Sequence, residues 1–281
     1  MPYFIGIDLG GTKIEGILAD EKGKIYARER TPTEAKKGRN VVVKNIISII
    51  NKLKKNKRIK AVGICTPGFV QTNGTLASVP NIPSFMNFNL KKELKKRIRE
   101  KIVIENDANC FALAESHFGA GKKTNHMIGV IFGTGLGFGI IINKKIYHGF
   151  HGGAGEFHNS WWSPGGPYDF EFFCSGPAIA KNYKKMTGKT KSTKEIFKSK
   201  DAKKVLDKMY EHFALVLSYI VNLLNPELIV VGGGVSNSLN YTILNKELKK
   251  FAYLPLMKNV KVVKHKLGDS AGVLGAVALV R

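Results

Sequence analysis

Residues 3–9, YFIGIDL, open the chain with a near-continuous apolar run, the pattern of a strand buried on both faces. After Gly10 and Gly11, the runs IEGILAD and KIYARER give two more strand-like segments, joined by turn residues around Asp20 to Gly23. This order predicts a β-meander. Between residues 34 and 57, Val41, Val42, Ile46, Ile47, Ile49, Ile50 and Leu53 recur at mostly helical spacing, and lysines gather where a helix presents its negative end. A strand AVGIC at 61–65 ends in Thr66-Pro67-Gly68. Pro80, Asn81 and Pro83 then mark a loop before a helix predicted over LKKELKKRIREK. The strand IVIEN, 102–106, delivers its end to a helix predicted over 108–118.

The second half repeats this opening. MIGVIFGTGLGFGIIINKKIYHG, from residue 127, reads as strand, glycine turn, strand, turn, strand, and FGTGLGFGI echoes DLGGTKIEG. Such a repeat predicts two α/β lobes whose glycine turns face a shared cleft. Helices are predicted from Phe170 to about Ser199 and from Ala202 to Asn225, followed by the strand ELIVVGG and a small-residue helix from Asp269. The boundaries read from this order are a small lobe 1–118, with the helix 269–281 returning to it, and a large lobe 119–268.

Composition narrows the class. The 281 residues are 43% hydrophobic with 10 prolines, which excludes a disordered tail and a disulfide-stapled mini-domain. Cys65, Cys110 and Cys174 form no CxxC pair, so neither a disulfide framework nor a cysteine-rich zinc site is expected. The N-terminus lacks the regions of a signal peptide, and the apolar stretches 127–142 and 213–235 are interrupted by glycine, asparagine, proline and glutamate. A soluble cytoplasmic protein, with no membrane partner, is expected. The net charge of +24 brings a polyanionic partner into consideration without saying which one. Lysine supplies 38 of the 45 cations in runs without interleaved aromatics, a pattern of solvated helix faces rather than of nucleic-acid binding.

Three glycine-rich stretches carry chemistry. In DLGGTK, Gly10 and Gly11 bare backbone N–H groups to phosphate oxygens, Thr12 adds a hydroxyl, Lys13 a charge, and Asp8 stands where it would hold a water of hydrated Mg²⁺. FGTGLGFG supplies a second cradle with Thr134, Gly135 and Gly137, and PELIVVGGGVS ends in Gly233 and Gly234, a flat slot for adenine or ribose. Taken singly, each turn is also compatible with an ordinary tight hairpin. No GxxxxGK[ST] occurs.

Together these stretches resemble the ATPase core shared by actin, heat-shock chaperones and sugar kinases, and within it the ROK family of sugar kinases and repressors. The resemblance covers essentially the whole chain: DLGGTK, Pro67-Gly68, ENDAN at 105–109, GTGLGFGI at 133–140, GGAGEFH at 152–158, SGPAIA at 175–180, PELIVVGGG at 226–234 and GDSAGVLGA at 268–276. It implies a two-lobed actin-like, ribonuclease H-like α/β fold, ATP and Mg²⁺ as cofactors, and a homodimer or higher homo-oligomer. It also implies phosphoryl transfer to a hexose, with the 6-hydroxyl of glucose or a similar sugar as the acceptor. N-acetylmannosamine, N-acetylglucosamine and fructose kinases share these motifs. Asp107 is implied as general base. Asn106, Glu156, His158 and Glu171 are implied to bind sugar hydroxyls, with Gly68 and Asn81 nearby. The Asn106-Asp107 pair also suits a helix cap.

The chain departs from the family in two places. The spacing from Glu156 to the family histidine is one residue short, which leaves His158 or Asn159 for that position. The family's zinc pattern CxCGxxGCxE meets Trp162, Pro164 and Asp169, so no structural zinc is expected. The loop should instead be held by Trp161, Trp162, Tyr168 and Phe170. The family's repressors carry an N-terminal helix-turn-helix. Only seven residues precede Asp8, so a sugar-sensing regulator is the disfavoured reading.

Overall fold

The computed structural model describes residues 2–55, 57–79, 81–157, 161–163, 166–168 and 170–281, with backbone alone at 161–163 and 166–168. The first half runs β1 (Tyr3–Leu9), β2 (Lys13–Asp20), β3 (Ile25–Pro32), α1 (Arg39–Lys54), β4 (Ile59–Thr66), β5 (Phe69–Val70), β6 (Thr75–Ser78), β7 (Phe88–Asn89), α2 (Leu90–Lys95), β8 (Lys101–Asn106) and α3 (Asp107–Phe118). The second runs β9 (Met127–Phe132), β10 (Leu136–Ile142), β11 (Lys145–Ile146), β12 (Trp161–Ser163), β13 (Gly166–Tyr168), α4 (Gly176–Thr187), α5 (Thr193–Ile196), α6 (Lys203–Leu224), β14 (Leu228–Gly232), α7 (Tyr241–Leu248), β15 (Lys261–Lys264) and α8 (Ala271–Ala278).

Two five-stranded sheets share one plan, in orders β3-β2-β1-β4-β8 and β11-β10-β9-β14-β15. In each, three antiparallel strands are followed by two parallel ones. The meander and its repeat thus pair as the sequence pattern predicts. Parallel register in the first sheet sets Asp8 beside Cys65 and Cys65 beside Glu105, so the carboxyl ends of three neighbouring strands reach the same edge. Ligands of open α/β sheets gather at that edge.

Three large apolar clusters, and a small fourth one of Cys65, Cys110 and Ala276, build the core of the described residues. One lies beneath the first sheet against α1, one surrounds the second sheet and α6, and one lies between the sheets with α3 and α8. Helix α8 packs on the first sheet: a Cβ at Gly63 would lie 1.7 Å from the Ala276 carbonyl oxygen. Helix α3 packs on the second, with Phe111 against Gly232, so the expected boundary at 118 falls after a helix seated on the other sheet. The two helices also meet each other, where a Cβ at Gly275 would lie 2.1 Å from the Cys110 carbonyl oxygen.

Several boundaries differ from the pattern. Helix α1 begins at Arg39, because Gly38 adopts φ 92° and interrupts any helix from residue 34. Helix α2 stops at Lys95 instead of running to 101, and the turn after it closes with the N–H groups of Arg97 and Ile98 both on the Leu94 carbonyl. The stretch 170–199 breaks into a short 3₁₀ turn, α4 and α5; Ser175 caps α4, with Pro177 in its first turn and Gly188 ending it. No helix among the described residues is long and apolar enough to cross a membrane.

Candidate active site

Asp107 is the first residue of α3 and Asn106 is its N-cap. The Asn106 Oδ1 accepts the N–H groups of Ala108 at 2.8 Å and Asn109 at 3.2 Å, while Nδ2 donates to the Gly68 carbonyl at 2.9 Å and to Asp107 Oδ1 at 3.1 Å. Both donors and the acceptor oxygen are engaged, so Asn106 holds the Asp107 carboxylate and the Gly68 loop in place. Gly68 itself has φ +87°, and a Cβ there would lie 1.8 Å from the Ser78 carbonyl oxygen. The residue serves a tight backbone crossing, and its carbonyl is spent on Asn106. The cap reading of Asn106 holds, and it leaves the Asp107 carboxylate at the head of α3.

Asp8, at the end of β1, lines a cavity of about 300 Å³ together with Asp107, Gly233 and Gly234. Burial pushes the Asp8 carboxyl above its ordinary value, against the lowering effect of the Cys65 thiol on the neighbouring strand. Burial, then the charge of Asp8, and more weakly that of Glu156, push Asp107 up to about 6. Two carboxylates in one partly dry cavity resist ionising together, which adds to the effect of burial on Asp107.

The first glycine turn is only partly bare. Gly10 N–H donates to the Lys13 carbonyl at 3.0 Å, which leaves the N–H groups of Gly11 and Thr12 without a protein acceptor among the described residues. Asn81 lies against Gly11, where a Cβ would lie 2.7 Å from its side chain. The Lys13 ammonium lies 3.4 Å from Glu15 and is largely exposed, so the structure places it along the strand and not among the residues lining the cavity.

The second turn does two jobs. Thr134 lines a second cavity of about 770 Å³ with Gly133, Pro177, Thr193, Lys194, Lys198, Gly234 and Asn237. Gly234 and Asn237 belong to both cavities, so the two adjoin at the glycine slot. At Gly135 a Cβ would lie 2.6 Å from Glu171 Oε1, and Glu171 Oε1 accepts the Leu136 N–H at 2.7 Å. A Cβ at Gly137 would lie 3.2 Å from the Ala108 methyl; the glycine makes room for α3 and is not among the lining residues of either cavity. Gly233, at φ +84°, turns the chain after β14 where a Cβ would strike the Phe132 backbone.

Glu156 sits in the loop after β11, exposed, with its N–H on the Gly153 carbonyl. His158 and Asn159, the alternatives for the family histidine, lie outside the described residues, as do Pro164 and Asp169 of the zinc pattern. No group of three metal-ligating side chains occurs among the described residues. Sequence reasoning did not single out His265, Asp269 and Asn237, which line the smaller cavity, or Lys194 and Lys198, which line the larger. Asp269 was legible as part of GDSAG. Lys194 and Lys198 look in the sequence like any other lysines, and only the position of α5 and the residues just after it brings them to the larger cavity.

The family model described as "ROK family" matches residues 4–281. A glucokinase of Thermotoga maritima is 28% identical over 99% of this chain and 96% of its own length. An N-acetyl-D-glucosamine kinase of Histophilus somni is 32% identical over 98% of each. The crystal structure of a ROK family glucokinase from Streptomyces griseus, in complex with glucose and AMPPNP, superposes with a TM-score of 0.80 at 28% identity over 99% of each chain.

Proposed function

The chain belongs to the ROK family, whose two-lobed actin-like fold it has, and from that premise we propose that it transfers the γ-phosphoryl group of ATP to a hexose hydroxyl. The observation that carries this reading is Asp107, held by Asn106, raised to about 6, and lining a cavity that adjoins a second, glycine-lined one.

In this reading the adenosine occupies the larger cavity, near Thr134, Gly234 and Lys198. The phosphates run over the Gly11–Thr12 amides toward Asp107. Asp8 and Asp269 offer hard oxygen donors on the wall of the smaller cavity, a set that fits hydrated Mg²⁺, which neutralises phosphate charge when bound. Asp107 accepts the proton of the sugar hydroxyl as the phosphoryl group moves, and a carboxylate near 6 is mostly ionised at neutral pH. Glu156, Glu171 and Asn81 are the proposed sugar ligands, with His158 or Asn159 taking the part of the family histidine. Asn106 and Gly68 act mainly by orienting Asp107. Closing the lobes, divided near 118 and 268, over the sugar would exclude water, a competent rival acceptor.

Glucose or a similar hexose, phosphorylated at the 6-hydroxyl, is the proposed substrate. N-acetylglucosamine is the second reading, favoured by the 32% identity to a kinase of that sugar. The same reading places the enzyme in the cytoplasm as a homo-oligomer without structural zinc. A coupled ADP-release assay over glucose, mannose, fructose, N-acetylglucosamine and N-acetylmannosamine, with the phosphorylated carbon located by NMR, tests it. ADP release unaffected by any of these sugars would sink the proposal.

A further inference from the structure

Glu105 precedes the Asn106-Asp107 pair and has no part in the transfer just described. Its side chain is buried, at 7% exposure, and its partners come from two directions. Oε1 accepts the Asn106 N–H at 2.8 Å and the Asn109 amide at 3.0 Å, both from the segment that carries Asp107. Oε2 meets His148 Nε2 at 2.6 Å. His148 belongs to the other half of the molecule, two residues past β11. It heads the loop that leads to Glu156, and its carbonyl accepts the Ala154 N–H at 3.1 Å, which folds that loop back on itself. Three glycines of the loop, Gly149, Gly152 and Gly155, have positive φ, so its backbone has little stiffness of its own.

We propose that the Glu105–His148 pair is a positioning contact across the cleft, tying the start of loop 148–157 to the segment 105–109 and so setting Glu156 relative to Asp107. The proposal rests on the sugar-kinase reading. Neither residue reaches the cavities that would take the nucleotide, so the pair acts on the sugar side. A buried carboxylate is costly unless each oxygen is satisfied. The short, charge-assisted contact therefore favours the tied arrangement of the loop. The hydrogen bond to Glu105 also holds the imidazole above its ordinary pKa, against the effect of its partial burial. The charged groups acting on Asp107 are Asp8 and Glu156, and the one acting on His148 is Glu105. Loosening the contact therefore lets Glu156 withdraw and the Asp107 pKa fall.

The test compares His148→Ala, His148→Gln, Glu105→Gln and the double variant Glu105→Gln/His148→Ala, using the best sugar and ATP across pH. NMR titration of the His148 ring runs alongside. His148→Ala should raise the sugar KM roughly tenfold, the scale of one charge-assisted hydrogen bond, with the ATP KM little changed. Its acid limb should move to lower pH. Glutamine at 148 can still donate to Glu105 and should recover most of the loss, and the double variant should be no worse than the poorer single one. An unchanged sugar KM in His148→Ala, equal rises in both KM values, or additive losses in the double variant would overturn the proposal. So would a His148 ring that titrates at its ordinary value, or one that does not shift down in Glu105→Gln. A wild-type protein that phosphorylates no sugar, with His148 still titrating high, would remove the kinase reading and the positioning role with it while leaving the pairing in place.

Discussion

The Glu171 carboxylate accepts the backbone N–H of Leu136 at 2.7 Å, so a residue implied to bind sugar is bonded to the second glycine turn. Gly135 leaves room for this contact. In the proposed reading one side chain therefore serves both the sugar and the phosphate ends of the cleft. Glu171→Ala should raise both the sugar and the ATP KM by roughly tenfold, since it leaves a backbone donor unpaired in the turn. Glu171→Gln keeps an acceptor oxygen and should lose less. Initial-rate kinetics with each substrate varied in turn decides it, and a rise confined to the sugar KM would show that the turn stands without Glu171.

Asp107→Asn keeps the shape of the side chain and its place beside Asn106 but cannot take a proton. The expected loss is on the order of 100- to 10,000-fold in kcat, with little change in sugar Kd measured by calorimetry. Near-normal turnover in this variant would assign the base elsewhere.

The same carboxyl shapes the response to pH. Activity should fall on an acid limb near pH 6, because burial and then Asp8 raise Asp107 to about 6. Stability runs the other way for this group. With a folded pKa of about 6 against 3.8 unfolded, its contribution is full below the unfolded value and is lost as pH rises through the folded one. Asp107→Asn removes that loss. The variant should therefore be more stable than wild type at neutral pH, by on the order of 1–3 kcal/mol, with the gap closing in acid. Paired denaturant melts at acid and neutral pH measure this directly.

Structural zinc is expected to be missing. Trp162, Pro164 and Asp169 stand where thiolates would be needed, and Cys174 is buried with its thiol pushed above the ordinary range by burial. Elemental analysis should find well under one zinc per chain, and EDTA should leave the melting temperature of the ligand-free protein unchanged. Stoichiometric zinc would mean that histidines or Asp169 have formed a different site.

Much of the fold was legible because its signals are local. The two β-meanders announce themselves by apolar runs broken at glycines, and Asn106 marks a helix start by its side-chain oxygen. The family resemblance carried the reading of Asp107 further than spacing alone allows. What stayed hidden depends on distant partners. Gly137 looked like part of a phosphate cradle until Ala108 was seen beside it, and the Lys13 charge turned out to serve Glu15. Neither Glu105–His148 nor Glu171–Leu136 has a sequence signature, because their partners lie 43 and 35 residues apart.

Helix α8 has a consequence for the order in which the molecule is made. The first sheet consists wholly of residues 3–106, yet the face bearing Phe4, Ile17 and Ala61 is covered by Val273, Leu274 and Val277. Gly6 and Gly63 have no side chains because that helix must sit directly on the strands. During synthesis the N-terminal lobe therefore emerges first but waits, with one apolar face open to water or to a chaperone, until residues 271–278 leave the ribosome. A nascent chain halted before α8 should be protease-sensitive in its oldest part as well as its newest.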